Sequence, residues 1–181
     1  MLQPLIRLAY TIAANPMWLS VLAVLLALHS VAFARYRKRY DGLRTFDGWW
    51  RGYTPADAAP TLESFASKGK LRDYLRQEIF VDLTFPIVYS LLGAALIAFF
   101  ARRINGPVWL VLLPFATAIF DYIENAAIIT MIRGYAPGRV SYGAPAQIAS
   151  IATRIKWLFL GASVCALVLL IAAVVVRTMR S

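Results

Sequence analysis

The sequence predicts an all-α protein, a four-helix transmembrane bundle with a short interfacial helix in its first long loop. Three observations lead there. Of the 181 residues, 60% are hydrophobic, above the roughly 45–50% typical of soluble domains. The apolar residues gather in blocks of about twenty, the length at which a helix crosses roughly 30 Å of hydrocarbon. One long polar segment, residues 35–78, separates the first block from the other three and carries helix signals of its own. The chain reads as a single integral membrane domain over 1–181, with spans at about 17–34, 79–100, 108–132 and 150–176.

The first span is NPMWLSVLAVLLALHSVAFA, where Asn15 caps the helix and Pro16 fits its first turn. Residues 17–34 give about 27 Å of helix at 1.5 Å per residue. The preceding MLQPLIRLAYTIAA is too short for a separate span and is expected either at the interface or as an extension of the first helix. In the polar segment, Thr54 and Pro55 form a helix start, Leu62 and Phe65 share one face, and Gly69 is a stop. A further helix begins near Leu71 and runs into the second span. Trp49, Trp50 and Tyr53 are expected in the head-group layer, with Trp18 and Trp157 as further anchors. ARRING is a tight turn, Pro107 opens the third span, and a Gly/Pro-rich loop leads to a fourth helix from about Pro145 to Val176. That helix is too long for one vertical span, so it tilts or its first turns stand outside the hydrocarbon.

The net charge of +10 reads as basic residues flanking spans and meeting anionic lipid, not as nucleic-acid binding. Arg35, Arg37, Lys38, Arg39, Arg44, Lys70, Arg72, Arg76, Arg133 and Arg139 fall on one side; Arg7, Arg102, Arg103, Arg177 and Arg180 fall on the other. The positive-inside rule then predicts an inner (plasma) membrane protein with a cytoplasmic first loop and both termini outside. The N-terminus lacks the layout of a cleavable signal. Cys165 is the only cysteine and His29 the only histidine. With no CxxC, HExxH, glycine-rich phosphate loop or GxSxG, no metal site and no cofactor are expected. Oxygen ligands at Asp82, Asp121, Glu124 and Asn125 suit a hard cation, but their spacing is not specific for one.

The anomaly lies in FDYIENAAII, where Asp121, Glu124 and Asn125 interrupt the third span. An acid at mid-helix costs roughly 2.5–3.5 kcal/mol on insertion scales, while each Leu, Ile, Phe or Val returns about 0.3–0.6. The third helix is therefore marginal alone and needs polar neighbours. At 100° per residue the three side chains fall within an arc of about 100°, and that face should look into the bundle. Asp82, Pro86, Tyr89 and Gly93 form a matching stripe on the second span; Gln147, Ser150, Arg154 and Gly161 form one on the fourth. Measured along each helix, His29 lies about 8 Å, Asp82 about 5 Å and Glu124 about 12 Å from the long-loop side, with Arg154 about 14 Å beyond Pro145. One shared pocket in that half accounts for all of them, with Asp121 and Glu124 as the candidate catalytic acids. Asp82, Tyr89, Asn125, Arg154 and His29 are then candidate ligand-binding groups.

The segment GYTPADAAPTLESFASKGKLRDYLRQEIFVDLTFPIVY followed by FDYIEN resembles a group of uncharacterised bacterial four-helix membrane proteins. The likeness rests on Gly52, Tyr53, Thr54, Tyr74, Asp82, Phe85, Pro86, Tyr89, Asp121, Glu124 and Asn125. It covers roughly residues 50–130 and implies no known activity. A looser likeness, at Glu78, Asp82 and Pro86, is to the emopamil-binding and sigma-2-receptor-like family of sterol-handling proteins. That resemblance implies acids facing an intramembrane cavity.

The leading expectation is an acidic intramembrane pocket that binds or modifies a lipid or small amphiphile, with membrane lipids as partners and no nucleic acid. If the protein is an enzyme, a buried acid at 121 or 124 would move a proton. One rival is a structural or assembly protein whose acids pair with Arg154 or Lys156. Another is a proton or cation pathway. The oligomeric state does not follow from the sequence.

Overall fold

The computed structural model describes residues 2–49 and 51–180, so the expectation for Trp50 lies outside the described residues. The described chain is all-helical: α1 Gln3–Ala13, α2 Pro16–Tyr40, α3 Pro55–Ser67, α4 Leu71–Gln77, α5 Phe85–Ile104, α6 Leu112–Arg133 and α7 Gly143–Arg180. A π-helical turn, Glu78–Asp82, joins α4 to α5, and 3₁₀ turns cover Phe46–Gly48 and Val108–Val111. Four continuous helical stretches are long and apolar enough to cross a membrane: Pro16–Tyr40, Leu71–Ile104, Val108–Arg133 and Gly143–Arg180.

α1 extends the first helix through a break at Ala14 and Asn15. The Asn15 side chain accepts from the Met17 N–H at 3.0 Å, and Pro16 needs no donor partner there. α1 buries Ala9 among Ala94, Ile97, Ala98 and Ala101 of α5. Small residues on α5 let the two backbones approach closely. α2 packs along α5 but leaves Met17, Val21, Val24, Leu28 and Val31 exposed, an apolar surface that fits hydrocarbon. It also runs past Ala34 to Tyr40, carrying the basic residues Arg35–Arg39 on its last turns. Cations are favoured there by the helix dipole.

The polar segment folds into a small cap. α3 opens with a capping box between Thr54 and Asp57 and closes where Gly69 (φ +66°) lets the Lys70 N–H return to the Phe65 carbonyl at 2.7 Å. Its Leu62 and Phe65 enter a core with Tyr40, Phe46, Tyr53 and Tyr74, closed by Ile128 and Met131 of α6 and Ala146 and Ala149 of α7. The last turns of α6 and the first turns of α7 thus belong to the cap. This accounts for the length of α7, 38 residues or about 57 Å at 1.5 Å per residue. Tyr53, expected among the head groups, is 4% exposed and part of this core. At the opposite end, the Arg177 guanidinium donates to the Arg103 carbonyl at 3.0 Å. The end of α7 therefore lies away from the cap, as does α1, whose Ala9 packs on Ala98 and Ala101 near the end of α5.

Candidate functional site

Three apolar runs stop at one level of the bundle. Between Asp82 and Arg102, between Arg103 and Asp121, and between Lys156 and Arg177 there is no charged residue. Asp82, Asp121 and Lys156, which end these runs on the cap side, come together between bundle and cap. With them are Gln77, Glu78, Glu124, Asn125 and Thr153, all less than 10% exposed.

The local geometry of α5 explains the FDYIEN motif. Pro86 has no N–H and cannot donate to the Asp82 carbonyl four residues back. Asn125 takes over, its Nδ2 donating to that carbonyl at 3.0 Å. The next carbonyl, of Leu83, accepts from the Tyr122 hydroxyl at 2.9 Å. The other two polar residues of the motif turn to side chains. Asp121 accepts from the Tyr89 hydroxyl at 2.9 Å and from the Lys156 ammonium at 3.1 Å. Glu124 pairs with Lys156 and accepts from the Thr153 hydroxyl at 2.6 Å. The motif thus repairs the joint in α5 and ties α6 to α7.

Lys156 also lies 3.5 Å from Asp47, which the cap contributes from its 3₁₀ turn. That turn is held by Phe46, fully buried, whose N–H donates to the Tyr74 hydroxyl at 3.0 Å. The π-helical turn directs Gln77, Glu78 and Asp82 inward while Phe80 stays 71% exposed. Gln77 donates to Asp82 at 2.9 Å and accepts from the Tyr40 hydroxyl at 2.8 Å. Tyr53 lies nearby in the cap; burial first, then the carboxylates of Glu124 and Asp47, push its phenol above the usual range.

A cavity of about 760 Å³ starts at this cluster. Arg37, Arg44, Asp47, Asp82, Asp121 and Lys156 line its charged end. Below them the walls are apolar, formed by Phe85, Gly93 and Ile97 of α5, Pro114 of α6, and Leu160, Val164 and Leu167 of α7. On one wall α5 and α6 are in close contact, a Cβ at Gly93 meeting Pro114 at 3.2 Å.

Of the residues singled out in the sequence, Asp82, Tyr89 and Asp121 reach the cavity wall. Glu124 and Asn125 are buried behind it, in helix-to-helix contacts. Arg154 does not join the acids. It is exposed, packs against Gly52 and forms no ion pair among the described residues. Positions 154 and 156 are about 200° apart on a helix, so only one of them can face α6. His29 is also elsewhere, hydrogen-bonded to the Leu25 carbonyl at 2.8 Å and to Thr84 Oγ1 at 2.9 Å, beside Phe85. Sequence reasoning passed over Asp47 and Gln77, and it noted Glu78 only within a family likeness. A comparison of the chain with models of protein families, with curated proteins and with solved structures gives no match.

Proposed function

We propose that the protein binds a lipid or another amphiphile, its head group at the charged cluster and its tail in the apolar cavity between α5, α6 and α7. The observation that carries this reading is the continuity of the cavity from Asp47, Asp82, Asp121 and Lys156 to Ile97 and Leu167. Its volume of about 760 Å³ falls within the roughly 300–1,000 Å³ of small-molecule sites. One charged end and one long apolar end complement an amphiphile and fit neither a purely polar solute nor a purely apolar one. The looser likeness to sterol-handling membrane proteins, whose acids face an intramembrane cavity, points the same way.

Asp121 is the acid we assign to the ligand, because it is the FDYIEN carboxylate on the cavity wall. Glu124 fits the rival reading, a helix staple through Lys156 and Thr153. Both roles coexist in one cluster. A through-pathway for protons or cations has less support: all nine acids of the chain lie within 41–82 and 121–124. The same basic asymmetry as before assigns the cap to the cytoplasm, in a plasma membrane. Reporter fusions at Asp57 and at the C-terminus test that.

The test of binding is native mass spectrometry of the protein released from membranes. The wild type should carry a bound amphiphile. Ser163→Phe, which fills the cavity from α7, should lose it while keeping its helical circular dichroism. Equal lipid content in both would sink the reading.

A further inference from the structure

One carboxylate oxygen from each of Asp47, Asp121 and Glu124 lies within 4.8 Å of the others, and the same holds for Asp47, Glu78 and Asp82. The two groups share Asp47 but differ in how their charge is met. The first surrounds the Lys156 ammonium. In the second, among the described residues, no lysine or arginine pairs with Glu78 or Asp82. Glu78 is fully buried, and neither of its oxygens has a hydrogen-bond partner. A stranded buried charge is costly unless paired or bound to a metal. Asn125 adds another buried oxygen without a donor, on the amide whose nitrogen holds the Asp82 carbonyl.

We infer that Asp47, Glu78 and Asp82 form a binding site for a hard divalent cation. The donors are oxygens only, which selects Mg²⁺, Mn²⁺ or Ca²⁺ over thiolate- or imidazole-seeking metals. Their spread is right for such an ion: with bonds of about 2.1–2.5 Å, ligands on opposite sides of it stand roughly 4–5 Å apart. Three carboxylates of the same spread already hold an ammonium next door, so the ion would be the second cation of one continuous acidic cluster. Access is provided, because Asp47 is half-buried and both Asp47 and Asp82 line the cavity. The remaining coordination positions would face that cavity and take water or the oxygens of a ligand. The π-helical turn is part of the design: it brings Glu78 and Asp82 to one side of the chain, and such turns occur frequently at functional sites.

The test uses the full chain in detergent, stripped with a chelator and titrated with MnCl₂ in the absence of added lipid, with free Mn²⁺ read by electron paramagnetic resonance. The wild type should take up one Mn²⁺ saturably and release it to Mg²⁺ or Ca²⁺ but not to K⁺. Glu78→Gln and Asp82→Asn should weaken uptake by about tenfold or more. Glu63→Gln, whose exposed side chain pairs with Tyr135 in the cap, should leave it unchanged. If Glu78→Gln does not fold, Asp47→Asn carries the test, since Asp47 sits half-exposed on a surface turn. Absence of saturable uptake by the wild type, or undiminished uptake in folded Asp47→Asn, overturns the site. Because no amphiphile is present, either result leaves the lipid reading to be judged by its own experiment.

Discussion

The two ends of the bundle are held together by different physics. At the terminal end, α1, α5, the 3₁₀ turn ahead of α6, and α7 meet through Ala9, Ala94, Ala98, Ala101, Val111 and Leu170, with no buried charge among these residues. In lipid no hydrophobic force drives helix onto helix, so close approach across small residues supplies the stability. At the cap end the helices meet through Asp121, Glu124 and Lys156, and an aromatic core caps them in the manner of a soluble domain. The contrast teaches that the half without buried charges is sensitive to volume, and the half with buried charges is sensitive to removal of a single partner.

The largest effect should come from Lys156→Met. It strands Asp121 and Glu124 together, and breaking a buried pair costs about 3–5 kcal/mol. Thermal unfolding in detergent should show near-complete loss of the folded protein. The triple variant with Asp121→Asn and Glu124→Gln should recover most of it. Equal stability of the single variant and the wild type would refute the cap-end account. At the terminal end, Ala98→Leu should cost about 1–3 kcal/mol by overpacking, whereas a charge change nearby on the exposed Arg7 should cost little. Next comes the joint in α5. Asn125→Leu leaves the Asp82 carbonyl without a donor, at about 1–3 kcal/mol. Adding Pro86→Ala offers a backbone N–H to the same carbonyl, so the double variant should be more stable than Asn125→Leu alone. Strict additivity in that cycle would remove the proposed link.

The smallest effect concerns the capping box of α3. Thr54→Ala should cost roughly 1 kcal/mol. The Asp57 carboxyl accepts from the Thr54 hydroxyl and N–H, which holds it below its usual range. A depressed folded value means this contribution is present above the unfolded pKa of about 3.9 and disappears as pH falls through the lower, folded one. Protection factors across residues 55–67, taken relative to the intrinsic exchange rate at each pH, should therefore fall in acid, and Asp57→Asn should abolish that fall.

Much of this was legible because it is local. The apolar runs, the caps at Asn15 and Thr54, the stop at Gly69 and the inward face of Asp121, Glu124 and Asn125 depend only on nearby residues. The phase of α7 was not. A stripe through Gln147, Ser150 and Arg154 and a stripe through Ala149, Thr153 and Lys156 are both regular, and polarity alone favoured the first. Small residues at Ala146, Ala149 and Ala152 were the signal for the second, since a close-packed face needs them. Asp47 and Glu78 were hidden for another reason. Asp47 reaches the site only after the polar segment folds back onto α6 and α7, which no periodicity in it encodes, and Glu78 is brought beside Asp82 by a π-helical turn that α-helical spacing does not anticipate. His29 shows the converse error: an unusual residue type at a plausible depth, committed to a neighbouring helix turn instead of the site.

α7 passes from the cap to the terminal end without a break, with Ala149 and Thr153 at one end of its inner face and Leu160 and Leu167 further along it. Across the cavity from it, α5 is jointed at Glu78–Asp82 and Pro86. The molecule therefore has a strut on one side and an articulated limb on the other. The cap and the apolar cavity wall thus share one unbroken helix in α7, whereas in α5 the joint falls at the very residues that hold the acids in place.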